Sequence, residues 1–370
     1  MATTEGQDPV LEEEQRKDEK PRVSLGELRR LVRAHWGRER VWEPNWIDRI
    51  VRFGRPATRV QQLNSYDDAN FLYHRLHVVK FYNGVESRWP DFIDAQAQAM
   101  AAMKAAGILT CEPVPTKDGG NVVFVTLDSG KTHAMRVLSF IPGKILGDIE
   151  PSATLLESAG RLVGKVDKCL AGESLARHAG FRRNHFWDLK HSLRLREFVQ
   201  FIQGDARRQL VGRVLSDFET KVLPLAPSLQ EAVIHNDAND QNILVSEDGR
   251  RVIGILDWGD MVRTWRVNEI AISMAYIMLN KRDILRDASL LLRGYAKECL
   301  LSGDEVQVLR TLVACRLACS ATMSAYSASK DPTNEYLLIT QEPGWEALEA
   351  FMAVPEEQVT KTFSEILFGT

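Results

Sequence analysis

The sequence lacks the features that would place it in a membrane, on a secretory route or on nucleic acid. It has no run of about 18 apolar residues, and its start, MATTEGQDPVLEEEQRKDEKPR, contains no apolar segment. Its formal net charge is -3 and its pI is near 6.3, so it has no basic field for nucleic acid. We therefore expect a cytoplasmic chain with no membrane, nucleic-acid or protein partner.

Cysteine is also scarce, and its spacing is irregular. The chain has 5 cysteines, an odd number that argues against a disulfide framework. Cys315 and Cys319 lie four apart on an apolar helical pattern, which predicts core packing rather than a metal or disulfide pair. The interpretation is a reduced intracellular protein.

A chain of 370 residues with 44% hydrophobic content can bury a large core in two lobes. Residues 1–22 are dense in charge and lack aromatics, which predicts a disordered tail. Residues 23–140 have mixed strand and helix patterns and form the predicted N-terminal lobe. Residues 141–370 are mainly helical by periodicity and form the predicted C-terminal lobe. We expect a ligand site where the lobes meet.

Four local signals define the N-terminal lobe. Ser24 and Glu27 form a capping box that opens a helix. Residues 71–82, FLYHRLHVVKFY, are interpreted as one strand, and a helix is predicted over 90–104. The strand patterns on either side of Asp128-Ser-Gly predict a hairpin.

A polar octet, HNDANDQN at residues 235–242, stands between two apolar runs. The turn signal at Asp248-Gly249 predicts that residues 243–245 fold against 252–256, which returns Asn242 close to Asp257. Two oxygen ligands on neighbouring strand ends can hold Mg²⁺ together with waters and a phosphate. The alternative interpretation is a solvated loop rich in Asn and Asp.

The spacing His235-x-Asp237-x4-Asn242, followed by Asp257, resembles the core of kinase-like phosphotransferases. The resemblance implies that Asp237 accepts the proton of a substrate hydroxyl, and that Asn242 and Asp257 carry Mg²⁺. His235 would brace the loop rather than transfer protons.

The resemblance also implies a cation for the nucleotide phosphates. Lys80 matches the phosphate-binding lysine, and Asp94 on the helix 90–104 is its expected partner. A strand lysine whose head group reaches solvent is the alternative. The segment LNSYDDAN, residues 63–70, would cover the phosphates through Ser65 and backbone N–H groups, although a purely structural hairpin is the competing interpretation.

The octet belongs to a wider pattern. There is no glycine-rich loop or Ala-Pro-Glu segment, and Asp-Trp-Gly stands where protein kinases have Asp-Phe-Gly. The chain instead resembles the aminoglycoside phosphotransferase family and, within it, the hydroxylysine kinases. NSYDDANF and HNDANDQN are the most diagnostic segments, and RVLSFIPGK, FWDLK and GILDWGDM add to them. The implied fold is α+β, a two-lobed protein-kinase-like fold with an antiparallel sheet in the N-lobe and a mainly helical C-lobe.

The resemblance implies transfer of the γ-phosphate of GTP, with ATP as the other possible donor, to the hydroxyl of 5-hydroxy-L-lysine. The segment from Val137 to Ile141 would form the hinge against the nucleotide base. The substrate carries two amines and a carboxylate, for which the sequence offers acidic and basic candidates, each of which could equally be a surface charge. They are Asp67, Asp68, Asp260, Glu269, Arg263 and Arg266. Glu269 is favoured instead as a helix-start carboxylate.

Three alternatives remain open from the residues alone. A kinase of the same fold could act on homoserine, choline or an aminoglycoside. A catalytically inactive relative could only bind nucleotide, although Lys80, Asp237, Asn242 and Asp257 are all present. A metal hydrolase could use His235, but a second histidine at ligand spacing is missing.

Overall fold

The computed structural model describes residues 8–37, 60–281, 283–330 and 341–369, which form two compact units. The N-terminal unit comprises Val10–Ala101 and Thr110–Pro142, and the C-terminal unit comprises Met1–Pro9, Ala102–Leu109 and Gly143–Thr370. This division differs from the predicted lobes at residues 102–109. The reason is a backbone hydrogen bond of 3.1 Å from Ile255 N–H to Leu109 C=O, which attaches that segment to a C-terminal strand.

An antiparallel sheet of order β1-β2-β3-β5-β4 forms the centre of the N-terminal unit. Its strands are β1 (Val60–Leu63), β2 (Ala69–Tyr73), β3 (His77–Phe81), β4 (Val123–Thr126) and β5 (Thr132–Ser139). The hairpin predicted around residues 128–130 is confirmed, with Gly130 at a φ of 82° in the turn. The segment 64–68 joins β1 to β2, as predicted for the loop ahead of Lys80.

The single strand predicted over residues 71–82 is wrong. The segment is a hairpin in which β2 and β3 pair antiparallel across a turn at His74 and Arg75. Both turn residues are left-handed, with φ of 53° and 58°, the conformation required at the centre of the tight turn that the 3.2 Å hydrogen bond from Leu76 N–H to Tyr73 C=O closes. Asn and Gly usually provide it, so a His-Arg turn carries no familiar sequence signal.

Helices complete the N-terminal unit: α1 (Pro9–Asp18), α2 (Leu25–His35), the short α3 (Gly84–Ser87) and α4 (Pro90–Ala105). The predicted capping box is confirmed at α2, because Ser24 Oγ accepts the Glu27 N–H at 3.2 Å. The apolar face of α2 packs on the sheet, where a buried core forms. Its largest members are Trp36, Phe71, Tyr73 and Phe81.

The predicted disorder of residues 1–22 is wrong for residues 9–18, which form α1. The charges that suggested disorder are paired inside the fold. Arg16 is buried and contacts carboxylates of Glu12, Asp67 and Glu86 at 3.2, 2.7 and 3.1 Å. Composition alone cannot reveal this, because the partners lie far along the chain.

Two small sheets lie in the C-terminal unit. One has the order β6-β8-β9, with β6 (Lys144–Ile145), β8 (Ile243–Val245) and β9 (Val252–Ile255). The other pairs β7 (Glu231–Ile234) with β10 (Val262–Trp265). β7 enters the polar octet and β8 leaves it, so the octet is anchored in both sheets.

Helices form the rest of the C-terminal unit. They are α5 (Ala153–Leu170), α6 (Glu173–Ala176), α7 (Asp205–Asp217), α8 (Val267–Ile277), α9 (Ile284–Ala296), α10 (Gly303–Lys330), α11 (Gln341–Ala353) and α12 (Glu356–Phe368), with a 3-10 helix at Leu189–Phe201. Helices α5 and α9 approach closely at two glycines. A Cβ at Gly160 would lie 1.8 Å from Leu291 O, and one at Gly294 would lie 1.9 Å from Glu157 O.

Helix α10 is the central helix of this unit. Within the described part of the chain it is the one helix long and apolar enough to cross a membrane, and its apolar window is entirely buried by the protein. Cys315 and Cys319 are buried on it as free thiols, which confirms their predicted core packing.

Candidate active site

The polar loop 235–242 connects β7 to β8 and is held between buried segments. The predicted hairpin is confirmed: Ile243 pairs with Ile255, and Gly249 has a φ of 70° in the turn. Beyond the paired strands, Leu256 N–H donates to Asn242 C=O at 2.8 Å. Asn242 therefore lies beside the chain that leads into Asp257.

The start of the loop is held by Glu269, in the first turn of α8. Glu269 Oε2 accepts the N–H of His235 and, at 3.2 Å, the N–H of Asn236. Asn236 has a φ of 64°, so these bonds stabilise a conformation that a non-glycine residue seldom adopts. Burial raises the pKa of Glu269 to about 7, and the loop N–H groups oppose this rise. Glu269 is fully buried against the loop, in keeping with its favoured role at the helix start, and its contact with a substrate amine stays a prediction.

His235 links the loop to the segment that follows β9. Its Nε2 lies 2.9 Å from Leu256 O, and its Nδ1 accepts the N–H of Asp237 at 3.3 Å. The ring centroid is 4.7 Å from that of Trp258. Burial lowers the pKa of His235, which favours a neutral imidazole that donates through Nε2. Through these contacts His235 fixes the conformation of the loop.

The carboxylate of Asp237 is held by three side-chain donors. Its Oδ1 accepts Arg316 Nη2 at 3.0 Å and Asn239 Nδ2 at 2.8 Å, and its Oδ2 accepts Asn242 Nδ2 at 2.8 Å. The side chain is 21% exposed, so the carboxylate is fixed and still accessible. Burial raises the pKa of Asp237 well above its usual range; Asp260 adds to the rise and Arg316 opposes it.

Asn239 organises the second half of the loop. Its Oδ1 accepts the N–H groups of Gln241 and Asn242 at 2.9 and 3.0 Å, while its Nδ2 binds Asp237. This is an Asx-type turn in which a side chain replaces backbone partners. Sequence reasoning gave Asn239 no role, although an Asn two residues after Asp237, inside a polar loop, is a recognisable turn signal.

Asp240 and Gln241 pack against Gly147, after β6. Asp240 C=O accepts the Gly147 N–H at 3.0 Å, and a Cβ at Gly147 would lie 2.1 Å from Gln241 Nε2. A side chain at position 147 would have to displace the ends of the Gln241 and Asp240 side chains. Burial raises the pKa of Asp240 to about 6.

Asn242 and Asp257 have the donor atoms that a hard cation prefers. Asn242 Nδ2 is bonded to Asp237 O and Oδ2, both at 2.8 Å, and no hydrogen bond from the described residues reaches its Oδ1. Asp257 is exposed, with a φ of 56°, and its Oδ1 accepts the Gly259 N–H at 3.2 Å. The described residues contain no group of three or more His, Cys, Asp or Glu that could hold a metal.

Lys80 lies on β3 and pairs with a different carboxylate from the one predicted. Its Nζ is 2.7 Å from Asp68 Oδ2, and both side chains are buried. Asp94, the predicted partner, is exposed on α4, where it accepts Gln98 Nε2 at 2.7 Å. Lys80 is in the β2–β3 hairpin, and its partner Asp68 lies in the loop 64–68 ahead of β2 rather than on α4. Burial raises the pKa of Asp68, and the Lys80 ammonium opposes the rise.

Helix α1 and the residues after it hold the loop 64–68. Lys20 Nζ donates to Ser65 O and Tyr66 O at 3.1 and 3.0 Å, and Tyr66 Oη donates to Glu13 at 2.8 Å. With the Arg16–Asp67 ion pair, these bonds attach three successive loop residues to the N-terminal segment. Sequence reasoning missed this set entirely.

The other predicted nucleotide residues have local structural contacts. Ser65 Oγ accepts the Asp68 N–H at 3.1 Å, so it caps the loop turn. Val137 is buried in the sheet core, and its C=O accepts the Val114 N–H at 2.8 Å. Ile141 follows the end of β5 and is half-buried. Their contacts with a nucleotide remain predictions.

The remaining predicted substrate residues fall into two groups. Asp67 and Asp68 are paired with Arg16 and Lys80, and their contact with substrate amines stays a prediction. Arg263 Nη1 donates to Ala176 O at 2.7 Å, and Arg266 Nη2 pairs with Glu305 at 3.0 Å. Both arginines therefore make contacts within the chain. Asp260 is 31% exposed, bound to His185 Nε2 at 3.0 Å, and remains a candidate for a substrate amine.

Comparison with known proteins places the chain among phosphotransferases. The family model described as the phosphotransferase enzyme family matches residues 59–301. Hydroxylysine kinases of Xenopus laevis and Mus musculus are each 30% identical over 336 residues. The alignments cover 85% of this chain and 90% or 89% of those enzymes.

Solved structures share the fold at low identity. A microcompartment-associated aminopropanol kinase has a TM-score of 0.63 at 17% identity, covering 83% of this chain and 94% of that one. An amicoumacin kinase bound to AMP-PNP and Ca²⁺ has a TM-score of 0.61 at 14% identity, covering 87% and 99%. These structures share the two-lobed α+β fold, while the family model and the hydroxylysine kinases identify an enzyme that phosphorylates an alcohol group. The chain belongs to the phosphotransferase enzyme family that includes the hydroxylysine kinases.

Proposed function

We propose that this chain transfers the γ-phosphate of GTP to the side-chain hydroxyl of 5-hydroxy-L-lysine, giving 5-phosphohydroxylysine. The similarity to hydroxylysine kinases over most of both chains supports the acceptor. GTP is preferred to ATP on the same resemblance. All five cysteines are free thiols, in keeping with a proposed location in the reducing cytoplasm.

The observation that carries the proposal is the fixed, partly exposed carboxylate of Asp237. The substrate hydroxyl oxygen would bond to the γ-phosphorus while its proton passes to Asp237. The bond from that phosphorus to the β–γ bridging oxygen breaks, and GDP leaves. Oδ2 has the remaining acceptor capacity, because Oδ1 already accepts two donors.

Asn242 and Asp257 would hold Mg²⁺. Asn242 directs its Nδ2 towards Asp237, which leaves its Oδ1 as a ligand, and Asp257 supplies an exposed carboxylate. Two protein ligands suit Mg²⁺, which retains waters and shares itself with phosphate oxygens. When bound, the ion would neutralise charge on the phosphates.

Lys80 would contact the nucleotide phosphates. Asp68 fixes its ammonium at 2.7 Å, and Ser65 with nearby N–H groups would cover the phosphates. Val137 to Ile141 would contact the base. Asp260 would accept a substrate amine.

The direct test is a panel of acceptors assayed with the purified chain, Mg²⁺ and either GTP or ATP. The panel contains 5-hydroxy-L-lysine, homoserine, choline and an aminoglycoside, with L-lysine as the matched control that lacks the hydroxyl. We expect nucleotide consumption with hydroxylysine, faster with GTP, and none with lysine. Turnover of another acceptor without turnover of hydroxylysine would reject the substrate and keep the phosphotransferase chemistry. No turnover of any acceptor, with nucleotide still bound, would favour an inactive binding relative.

A further inference from the structure

An arginine from the core helix α10 reaches the accessible carboxylate of the polar loop. Arg316 lies 79 residues after Asp237, and its Nη2 donates to Asp237 Oδ1 at 3.0 Å. Its Nη1 donates to Trp187 O at 3.1 Å. The Arg316 side chain is 2% exposed, whereas that of Asp237 is 21% exposed. A deeply buried guanidinium therefore binds a carboxylate that is accessible to solvent.

Two aromatic rings fix the plane of this guanidinium. Its central carbon is 5.0 Å from the ring centroid of Trp187 and 5.3 Å from that of Tyr276. Aromatic contact and hydrogen bonds in two directions leave the planar group little freedom to rotate. Arg316 is therefore a rigid donor whose direction is set by the core.

The donors on Asp237 are distributed unequally. Oδ1 accepts both Arg316 and Asn239, while Oδ2 accepts Asn242 alone. A partial rotation of the carboxylate would move Oδ1 out of line with the immobile guanidinium and break their hydrogen bond. Arg316 consequently determines the direction in which the remaining lone pair of Oδ2 points.

We infer that Arg316 is a positioning residue for phosphoryl transfer, which fixes the Asp237 carboxylate so that Oδ2 receives the proton of the acceptor hydroxyl. This inference rests on the proposed function of Asp237. A misplacement of a reacting group by about 1 Å can cost on the order of 10²-fold in rate. The guanidinium fork, and not positive charge alone, is required, because an ammonium is a point charge without the planar geometry.

The test compares Arg316→Lys and Arg316→Ala with matched changes at Arg310. Arg310 is also a buried arginine of α10, but it stacks on Phe351 and donates to Val354 O at 3.4 Å. Thermal melting and nucleotide affinity report folding in all four variants of the full chain. Initial rates are measured with the best acceptor of the wild-type enzyme, so the comparison does not depend on hydroxylysine being that acceptor.

We expect Arg316→Lys to lower kcat about 10²-fold while the nucleotide KM stays within about 2-fold. Arg310→Lys should retain kcat within about 3-fold even if its Tm falls. Free guanidinium, well below denaturing concentrations, should raise the kcat of Arg316→Ala by at least about 5-fold. It should not raise the kcat of Asp237→Asn. Wild-type kcat in Arg316→Lys, losses that merely follow Tm in both arginine pairs, or no restoration by guanidinium would overturn the inference.

A crystal structure of Arg316→Ala provides a readout that does not require activity. We expect the Asp237 carboxylate to rotate, or to occupy more than one orientation, while Asn239 and Asn242 keep their places. An unchanged, singly oriented carboxylate would overturn the inference. If the wild-type enzyme phosphorylates no acceptor, the proposed function fails separately, and the crystal structure still decides the positioning claim.

Discussion

In each unit of the molecule, a buried arginine from a helix distant in the sequence binds a carboxylate of a polar loop. In the C-terminal unit Arg316 binds Asp237, and in the N-terminal unit Arg16 binds Asp67. The loop 235–242 also supplies many of its own bonds through Asn239 and Asn242. The loop 64–68 depends mainly on α1 and the residues after it. A polar loop can therefore be stabilised by its own side chains or by side chains from distant segments. Only the first arrangement can be recognised in a local sequence motif.

The largest expected effect in this comparison is that of Glu269→Ala. The substitution leaves the buried N–H groups of His235 and Asn236 without their acceptor. We expect the free energy of unfolding to fall by roughly 3 kcal/mol and kcat to fall about 10²-fold. Denaturant unfolding and steady-state kinetics measure both. Glu231→Ala, at an exposed position on β7, is the control, and equal losses in both variants would contradict the role of Glu269 in the loop.

A smaller effect is expected for the externally held loop. Arg16→Met removes the cation that Glu12, Asp67 and Glu86 share. The loop 64–68 then loses an ion pair directly beside the pair of Asp68 with Lys80. We expect the nucleotide KM to rise about 10-fold, or roughly 1.4 kcal/mol, with less change in kcat.

Arg88→Met is the matched control for that prediction. Arg88 pairs with Glu19 at 2.9 Å near the same helix, but its side chain is 57% exposed, and surface pairs contribute little. A nucleotide KM that is unchanged in Arg16→Met, or raised equally in Arg88→Met, would show that α1 does not position the loop.

The last expected effect appears only at low pH, and it concerns the stability of the N-terminal unit rather than its loop. Burial, with a contribution from His74, lowers the pKa of His77 to about 4 from 6.5. Between these values the unfolded chain binds a proton that the folded protein does not, so stability falls as pH falls from 6.5 towards 4. His77→Gln should reduce this loss by on the order of 2 kcal/mol, seen as a smaller drop in Tm. An identical pH dependence of Tm in both proteins would exclude His77 as its source.

The organisation of the loop 235–242 could be predicted because its determinants are local. Asp248-Gly249 determines a turn, the turn determines the strand register, and the register places Asn242 beside Leu256. The two-lobed α+β class followed from the change from mixed to helical periodicity. Each step relied on a preference that operates within a few residues.

The rest depended on contacts between distant segments. Lys80 pairs with Asp68 because β2 and β3 form a hairpin, which a single-strand interpretation cannot show. Helix α1 is ordered by charges on residues about fifty positions away. Arg316 did leave a signal, which it shares with Arg310: an arginine inside a helix of mainly apolar and small residues is seldom buried without a partner.

The most direct test of the central claim is product formation by wild-type and Asp237→Asn proteins with GTP, Mg²⁺ and 5-hydroxy-L-lysine. Mass spectrometry should detect 5-phosphohydroxylysine from the wild type. The Asp237→Asn protein should fold and bind nucleotide, yet form the product at least about 10²-fold more slowly. An equal rate of product formation in the two proteins would contradict the account of Asp237.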